Sequence, residues 1–158
     1  MRDIKRRKGS VSSTQQITKA MKLVSTVKLQ KAKQKAEQTT NYFDAMYNTV
    51  QNMLAKAKNI RHPYLQPSES SKKLVIMITS NKGLAGGYNS NIIKLITQGE
   101  FDKADVKIMA VGRKGKEAMA RYGYEIYKDC CDIIDGPTYD DARALAKEAL
   151  ELFAKGEV

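Results

Sequence analysis

The chain has 158 residues, with 28 Lys and Arg against 17 Asp and Glu, a net charge of +11 at neutral pH. That length suits one ordinary domain, and the basic balance points to an acidic partner: nucleic acid, a membrane surface or a protein. No run of about 18 apolar residues occurs, which excludes an ordinary transmembrane helix, and the basic start MRDIKRRKGS lacks the apolar stretch a secretory signal needs.

The pattern predicts one long helix over residues 1–58. It holds no proline and a single glycine, Gly9. Arg2 to Lys35 carries eleven bases (Arg2, Lys5, Arg6, Arg7, Lys8, Lys19, Lys22, Lys28, Lys31, Lys33, Lys35) against one acid, Asp3, and so nearly all the net charge. Such a helix would be about 80 Å long at about 1.5 Å per residue, longer than a domain of this size is wide. Its apolar residues recur near the coiled-coil period: Ile17, Met21, Val24, Val27, Ala32, Ala36, Phe43, Met46 or Tyr47, Val50 and Leu54. The stretch Lys28 to Thr40 is weakly apolar, so the helix needs a partner along its stripe.

Residues 59–73, with His62-Pro63, Pro67 and three serines, read as a linker loop. From residue 74 to 158 strands and helices alternate. Leu74 to Thr79 is an apolar run suited to a central parallel strand buried on both faces. A glycine-rich turn, Ser80 to Gly87, leads to a helix that Asn89 or Ser90 can cap. Val106 to Val111 reads as a second strand, Arg113 to Arg121 as a helix closed by Tyr122-Gly123, and Tyr124 to Tyr127 as a third strand. Thr138 opens the last helix, with Asp141 placed for a capping box. The fold class is therefore α/β: a long helix plus a partial Rossmann-like parallel sheet with right-handed crossovers. Its open edge and unpaired helix read as part of a longer protein.

The turn SNKGLAGGYN follows a strand and precedes a helix, where α/β folds bind phosphate. Gly83, Gly86 and Gly87 match neither the dinucleotide nor the P-loop spacing, so a tight structural turn is the stronger reading. His62 is the only histidine and has no evident nucleophile beside it. Cys130 and Cys131 are adjacent, a poor geometry for a mutual disulfide, and read as free thiols. The scattered acids Asp102, Asp105, Asp129, Asp132 and Asp135 resemble turn residues more than a metal cluster. No catalytic, cofactor or metal site is expected. On charge alone, nucleic acid is the generic partner of the basic helix, although no aromatic residue interrupts Arg2 to Lys35.

Three motifs carry a family resemblance. The run Ile4 to Lys28 (with Ser10-Val11, Thr14-Gln15 and Ile17-Thr18-Lys19-Ala20-Met21-Lys22-Leu23-Val24-Ser25), the loop His62-Pro63-Tyr64-Leu65, and Thr79-Ser80-Asn81-Lys82-Gly83-Leu84-Ala85-Gly86-Gly87-Tyr88-Asn89 resemble the gamma subunit of rotary ATP synthases. After Lys94 the likeness lies in layout. The resemblance implies a non-catalytic central-stalk rotor whose two terminal helices form an antiparallel coiled coil inside the ring of alpha and beta subunits. It places a Rossmann-like foot against the epsilon subunit and the c-ring, and implies a peripheral position on the cytoplasmic face of the bacterial membrane. By that likeness Ile17, Lys19, Met21, Lys22 and Val24 face the acidic lever loops of the beta subunits, and Gly83, Gly86, Gly87 and Asn89 form a structural turn of the foot. Asn81, Ala85 and Tyr88 stand where the family usually has Asp, Cys and Leu. The second long helix of family members is missing, so the isolated piece is expected to self-associate through its stripe.

Overall fold

The computed structural model describes residues 2–57 and 61–158. The chain divides into two compact units, Met1–Ile60 and Arg61–Val158.

The first unit is α1, Arg2–Lys56, a helix of 55 residues none of which is buried. It runs unbroken because no proline interrupts it, and Gly9 costs only about 1 kcal/mol relative to alanine. The Thr14, Thr18, Thr26, Thr40 and Thr49 hydroxyls each donate to the carbonyl four residues back, and Thr39 to that of Ala36. Such back-bonds satisfy the hydroxyl without adding helix stability. The ion pairs Asp3–Arg6 and Lys33–Glu37 are exposed, worth at most about 0.5 kcal/mol each. Nothing in the helix itself therefore explains so long an element; its stability must come from packing along its apolar face.

The second unit contains β1 (Lys73–Ile78), α2 (Tyr88–Thr97), β2 (Val106–Val111), α3 (Arg113–Arg121), β3 (Glu125–Asp129) and α4 (Tyr139–Ala154). The strands are parallel in the order β1-β2-β3. β2 is the middle strand, and its alternation separates two cores. Val106, Ile108 and Ala110 pack with Met77, Ile96, Ala118 and Met119 on one face, while Met109 packs with Leu152 and Val158 on the other. The pairing of β2 with β3 slips between Ile108 and Met109, leaving Tyr127 as the extra residue of a bulge.

The fold class is as expected, with several local corrections. Among the described residues LVIMIT is not a central strand buried on both faces. β1 lies at an edge, with Ile76 42% and Ile78 55% exposed; VKIMAV is the central one. An apolar run alone cannot distinguish the two. Neither Asn89 nor Ser90 caps α2: Gly87 is the N-cap, without a side-chain bond, because Asn89 is committed elsewhere. The third strand runs to Asp129. At α4 the Thr138–Asp141 capping box is present as read, and Gly123 (φ 75°) follows α3 as expected. His62 opens a short 3-10 turn, Pro63–Leu65, its Nδ1 accepting the Tyr64 N–H at 3.2 Å.

Gly112 links β2 to α3 at φ 118°, and a Cβ placed there would lie 2.0 Å from the Thr79 carbonyl oxygen. Both the conformation and the contact forbid a side chain. Gly112→Ala is expected to cost about 3 kcal/mol or more, read as a fall in the urea midpoint of the Arg61–Val158 unit.

Candidate functional site

The carboxyl ends of β1, β2 and β3 converge on the turn between Thr79 and Asn89, the place where open α/β sheets hold ligands. Thr79 is buried. Its Oγ1 donates to the Gly112 carbonyl at 3.0 Å and accepts the Gly115 N–H at 2.8 Å, and its own N–H donates to Val111 at 2.7 Å. The next two residues continue the clasp: the Lys114 N–H donates to the Ser80 carbonyl at 3.0 Å and the Arg113 N–H to Asn81 Oδ1 at 2.9 Å. The first N–H groups of α3, which in a phosphate site would face the anion, are thus occupied by atoms of the turn itself.

Asn81 works in two directions. While Oδ1 holds Arg113, Nδ2 donates to the Cys131 carbonyl at 2.9 Å and approaches Asp135 Oδ2 at 3.4 Å. Asn89 folds back from α2, accepting the Ser80 N–H at 3.0 Å and donating to Ser80 Oγ at 2.8 Å. Of the turn's three glycines, only Gly86 takes a positive φ (56°); Leu84 also takes one (62°) and is 94% exposed at the tip. Gly83 has open space around its Cβ position, and Gly87 meets Asn91 only at ordinary contact distance.

Behind the turn, Asp129 accepts from Lys116 and from the Cys131 N–H. Hydrogen bonds from the Cys131 thiol, Lys116 and the Cys131 N–H bring its carboxyl down to about 2. Burial pushes both the Cys130 and Cys131 thiols up, away from the reactive thiolate. Both cysteines are free. No group of His, Cys, Asp or Glu suited to a metal occurs among the described residues.

The helix residues singled out by sequence are all exposed on α1. At 100° per residue, Ile17, Met21 and Val24 share one face, whereas Lys19 and Lys22 stand on another. A single flat partner cannot touch all five. Sequence reasoning quoted Thr79 and Asn81 as motif residues without giving either a role, and passed over Gly115. The G-x-x-G spacing of Gly112 and Gly115 after a strand was the available signal for close strand–helix approach.

The described residues thus comprise a long helix with no buried residue and, as a separate unit, a parallel βα sheet whose glycine-bearing turn satisfies its own polar groups. A family model described as ATP synthase matches residues 1–158. The chain is 61% identical over its full length to the ATP synthase gamma chain of Lachnoclostridium phytofermentans, covering 54% of that protein. It is 41% identical to the gamma chain of Alkaliphilus metalliredigens, with 97% of this chain and 53% of the relative covered. It is 37% identical to the "ATP synthase gamma chain, sodium ion specific" of Acetobacterium woodii, with 99% and 52% covered. The chain belongs to the ATP synthase gamma-chain family, and it spans about half the length of these curated relatives.

Two predictions follow from the turn and its surroundings. Asn81→Asp keeps the acceptor for Arg113 but loses the donor to Cys131 and sets a carboxylate beside Asp135; we expect a loss of about 1–2 kcal/mol, partly recovered as acid protonates the new group, in urea titrations at pH 7 and pH 4. Asp129 binds its proton more weakly folded than unfolded. Its contribution is full above the unfolded value near 4 and disappears as pH falls through about 2. Asp129→Asn should therefore flatten the acid limb of the stability curve between pH 4 and pH 2, measured by thermal unfolding.

Proposed function

We propose that this chain is the N-terminal part of the central-stalk rotor subunit of an ATP synthase, a non-catalytic shaft that couples ion flow through the membrane sector to ATP synthesis or hydrolysis at the alpha/beta head. The observation that carries the reading is α1: 55 residues with an apolar stripe, a strong positive charge and no buried residue, in a chain whose full length matches the gamma family. The shaft helix falls within residues 1–58, with α1 at Arg2–Lys56, and the foot takes in the unit from β1 onward. The bases of α1 face acidic loops of the beta subunits, a protein partner that accounts for the charge without nucleic acid. Long-range attraction between exposed charges suits a turning part, since it falls off smoothly and holds no fixed geometry. The two faces of Ile17 to Val24 divide the work: Ile17, Met21 and Val24 continue the coiled-coil seam, while Lys19 and Lys22 present charge to the head. The foot meets the epsilon subunit and the c-ring on the cytoplasmic face of the bacterial membrane. No helix among the described residues is long and apolar enough to cross a membrane.

The test is reconstitution of the full-length subunit with alpha and beta subunits. The subunit alone should hydrolyse no ATP. The double reversal Lys19→Glu with Lys22→Glu should lower coupled turnover of the assembled complex by about fivefold or more, the lower end of ordinary coupling free energies, while foot stability stays unchanged. Full coupled turnover with the reversed charges, or tight salt-sensitive DNA binding by the subunit, would overturn the reading.

A further inference from the structure

The Pro63–Leu65 turn has only Tyr64 and Leu65 as backbone donors, since Pro63 carries no N–H. His62 accepts from both. The Leu65 N–H donates to the His62 carbonyl at 2.9 Å, and the Tyr64 N–H donates to His62 Nδ1 at 3.2 Å. His62 itself is extended (φ -134°, ψ 137°), the backbone favoured before a proline. Its ring also meets the Tyr64 ring edge-on, with centroids 4.8 Å apart. The usual capping side chains, Ser, Thr, Asn and Asp, accept through an oxygen. An imidazole nitrogen differs from these: it accepts only while it carries no proton.

We propose that His62 is a proton-sensitive cap: the neutral imidazole seats the Pro63–Leu65 turn, and the imidazolium releases it. Accepting from Tyr64 fixes the neutral ring as the tautomer with its proton on Nε2. Protonation puts a second N–H on Nδ1, which then meets the Tyr64 N–H donor to donor. The ring must turn away, and the Tyr64 amide passes to water. Histidine changes charge between about pH 5 and 8, so the cap is complete above that range and lost as pH falls through it. The Leu65 bond has no titrating partner and survives, which confines the change to one amide and one ring. The turn packs against α4, so its release loosens the chain where the second unit begins. Arg61 is the charged neighbour of His62 in the chain. On α4, Asp141 is bonded to Thr138, Glu148 pairs with Lys128 and Lys147 with Glu151. The other charged residues of that helix, Asp140 and Arg143, are opposite in sign. Among the described residues no carboxylate is bonded to the ring to hold its proton and silence the response.

The experiment is nitrogen-resolved NMR on the full-length subunit from about pH 8 down to about pH 5, wild type beside His62→Asn and His62→Ala. Imidazole signals that vanish in both variants are those of His62. At the alkaline end they should show the Nε2–H tautomer alone, and the Tyr64 amide proton should move upfield in step with His62 protonation. Asparagine keeps an acceptor that does not titrate, so in His62→Asn that amide should hold its downfield position at every pH. In His62→Ala it should sit at the upfield position throughout. A neutral ring with its proton on Nδ1, or a Tyr64 amide that ignores the His62 titration, would overturn the cap. A Tyr64 shift that persists in His62→Asn would assign the response to another group and overturn it as well. These signals report on the turn alone, so their failure leaves the rotor reading, tested by coupled turnover, untouched.

Discussion

The second unit depends on how closely β1 approaches the start of α3. Thr79 is 2% exposed and uses its N–H and both functions of its hydroxyl to bind Val111, Gly112 and Gly115. This is possible only because Gly112 and Gly115 lack side chains; a Cβ at either would fall within 2.7 Å of a Thr79 atom. Once that approach is fixed, Ser80 and Asn81 lie against the α3 N-terminus, and the turn to Asn89 has little freedom left. A buried hydroxyl with both its capacities satisfied specifies one arrangement, because any displaced alternative leaves polar groups unpaired. The same saturation removes the donors that would make this end of the sheet a phosphate site.

The two units meet opposite constraints. The second unit encloses its cores between the sheet and flanking helices, and Met77, Ile108, Met109 and Met119 are almost fully buried. α1 encloses nothing: Met21, Val50 and Leu54 stay 50%, 48% and 41% exposed. A helix of that length gains too little from propensity and back-bonded threonines to stand alone, and its bases repel one another. Both defects have one remedy, an apolar seam with acidic surroundings, and that pairing of needs makes the long basic helix intelligible as part of an assembly.

Much of this was legible in the sequence because the decisive signals were local. The proline-free run with its near-heptad stripe gave α1, and Thr138 with Asp141 gave the start of α4 to the residue. What escaped depended on contacts distant in sequence. LVIMIT is the more apolar run, since VKIMAV carries Lys107, yet VKIMAV is the central one among the described strands; that follows from strand order, not composition. Asn89 looked like a helix cap because cap chemistry suits it, yet Ser80, nine residues earlier, makes better use of both ends of its amide. Asn81 showed in the sequence only as standing where the family usually has Asp; its second bond, to Cys131 fifty residues on, appears only once β3 is in place.

The net positive charge sits on the helix because few acids accompany its bases, whereas the second unit nearly balances its own. In the proposed rotor, a turning contact must attract its stationary neighbours at every angle while binding none of them deeply. Exposed lysines on long stems meet that requirement: each interaction is weak, screened within about 10 Å, and readily exchanged for the next. Deeply docked pairs would have to be desolvated and resolvated at each step, at several kcal/mol per ion. The apolar residues Ile17, Met21 and Val24 lie on a different face from Lys19 and Lys22. In the proposed rotor this lets the permanent seam and the transient contacts occupy the same stretch of helix without competing.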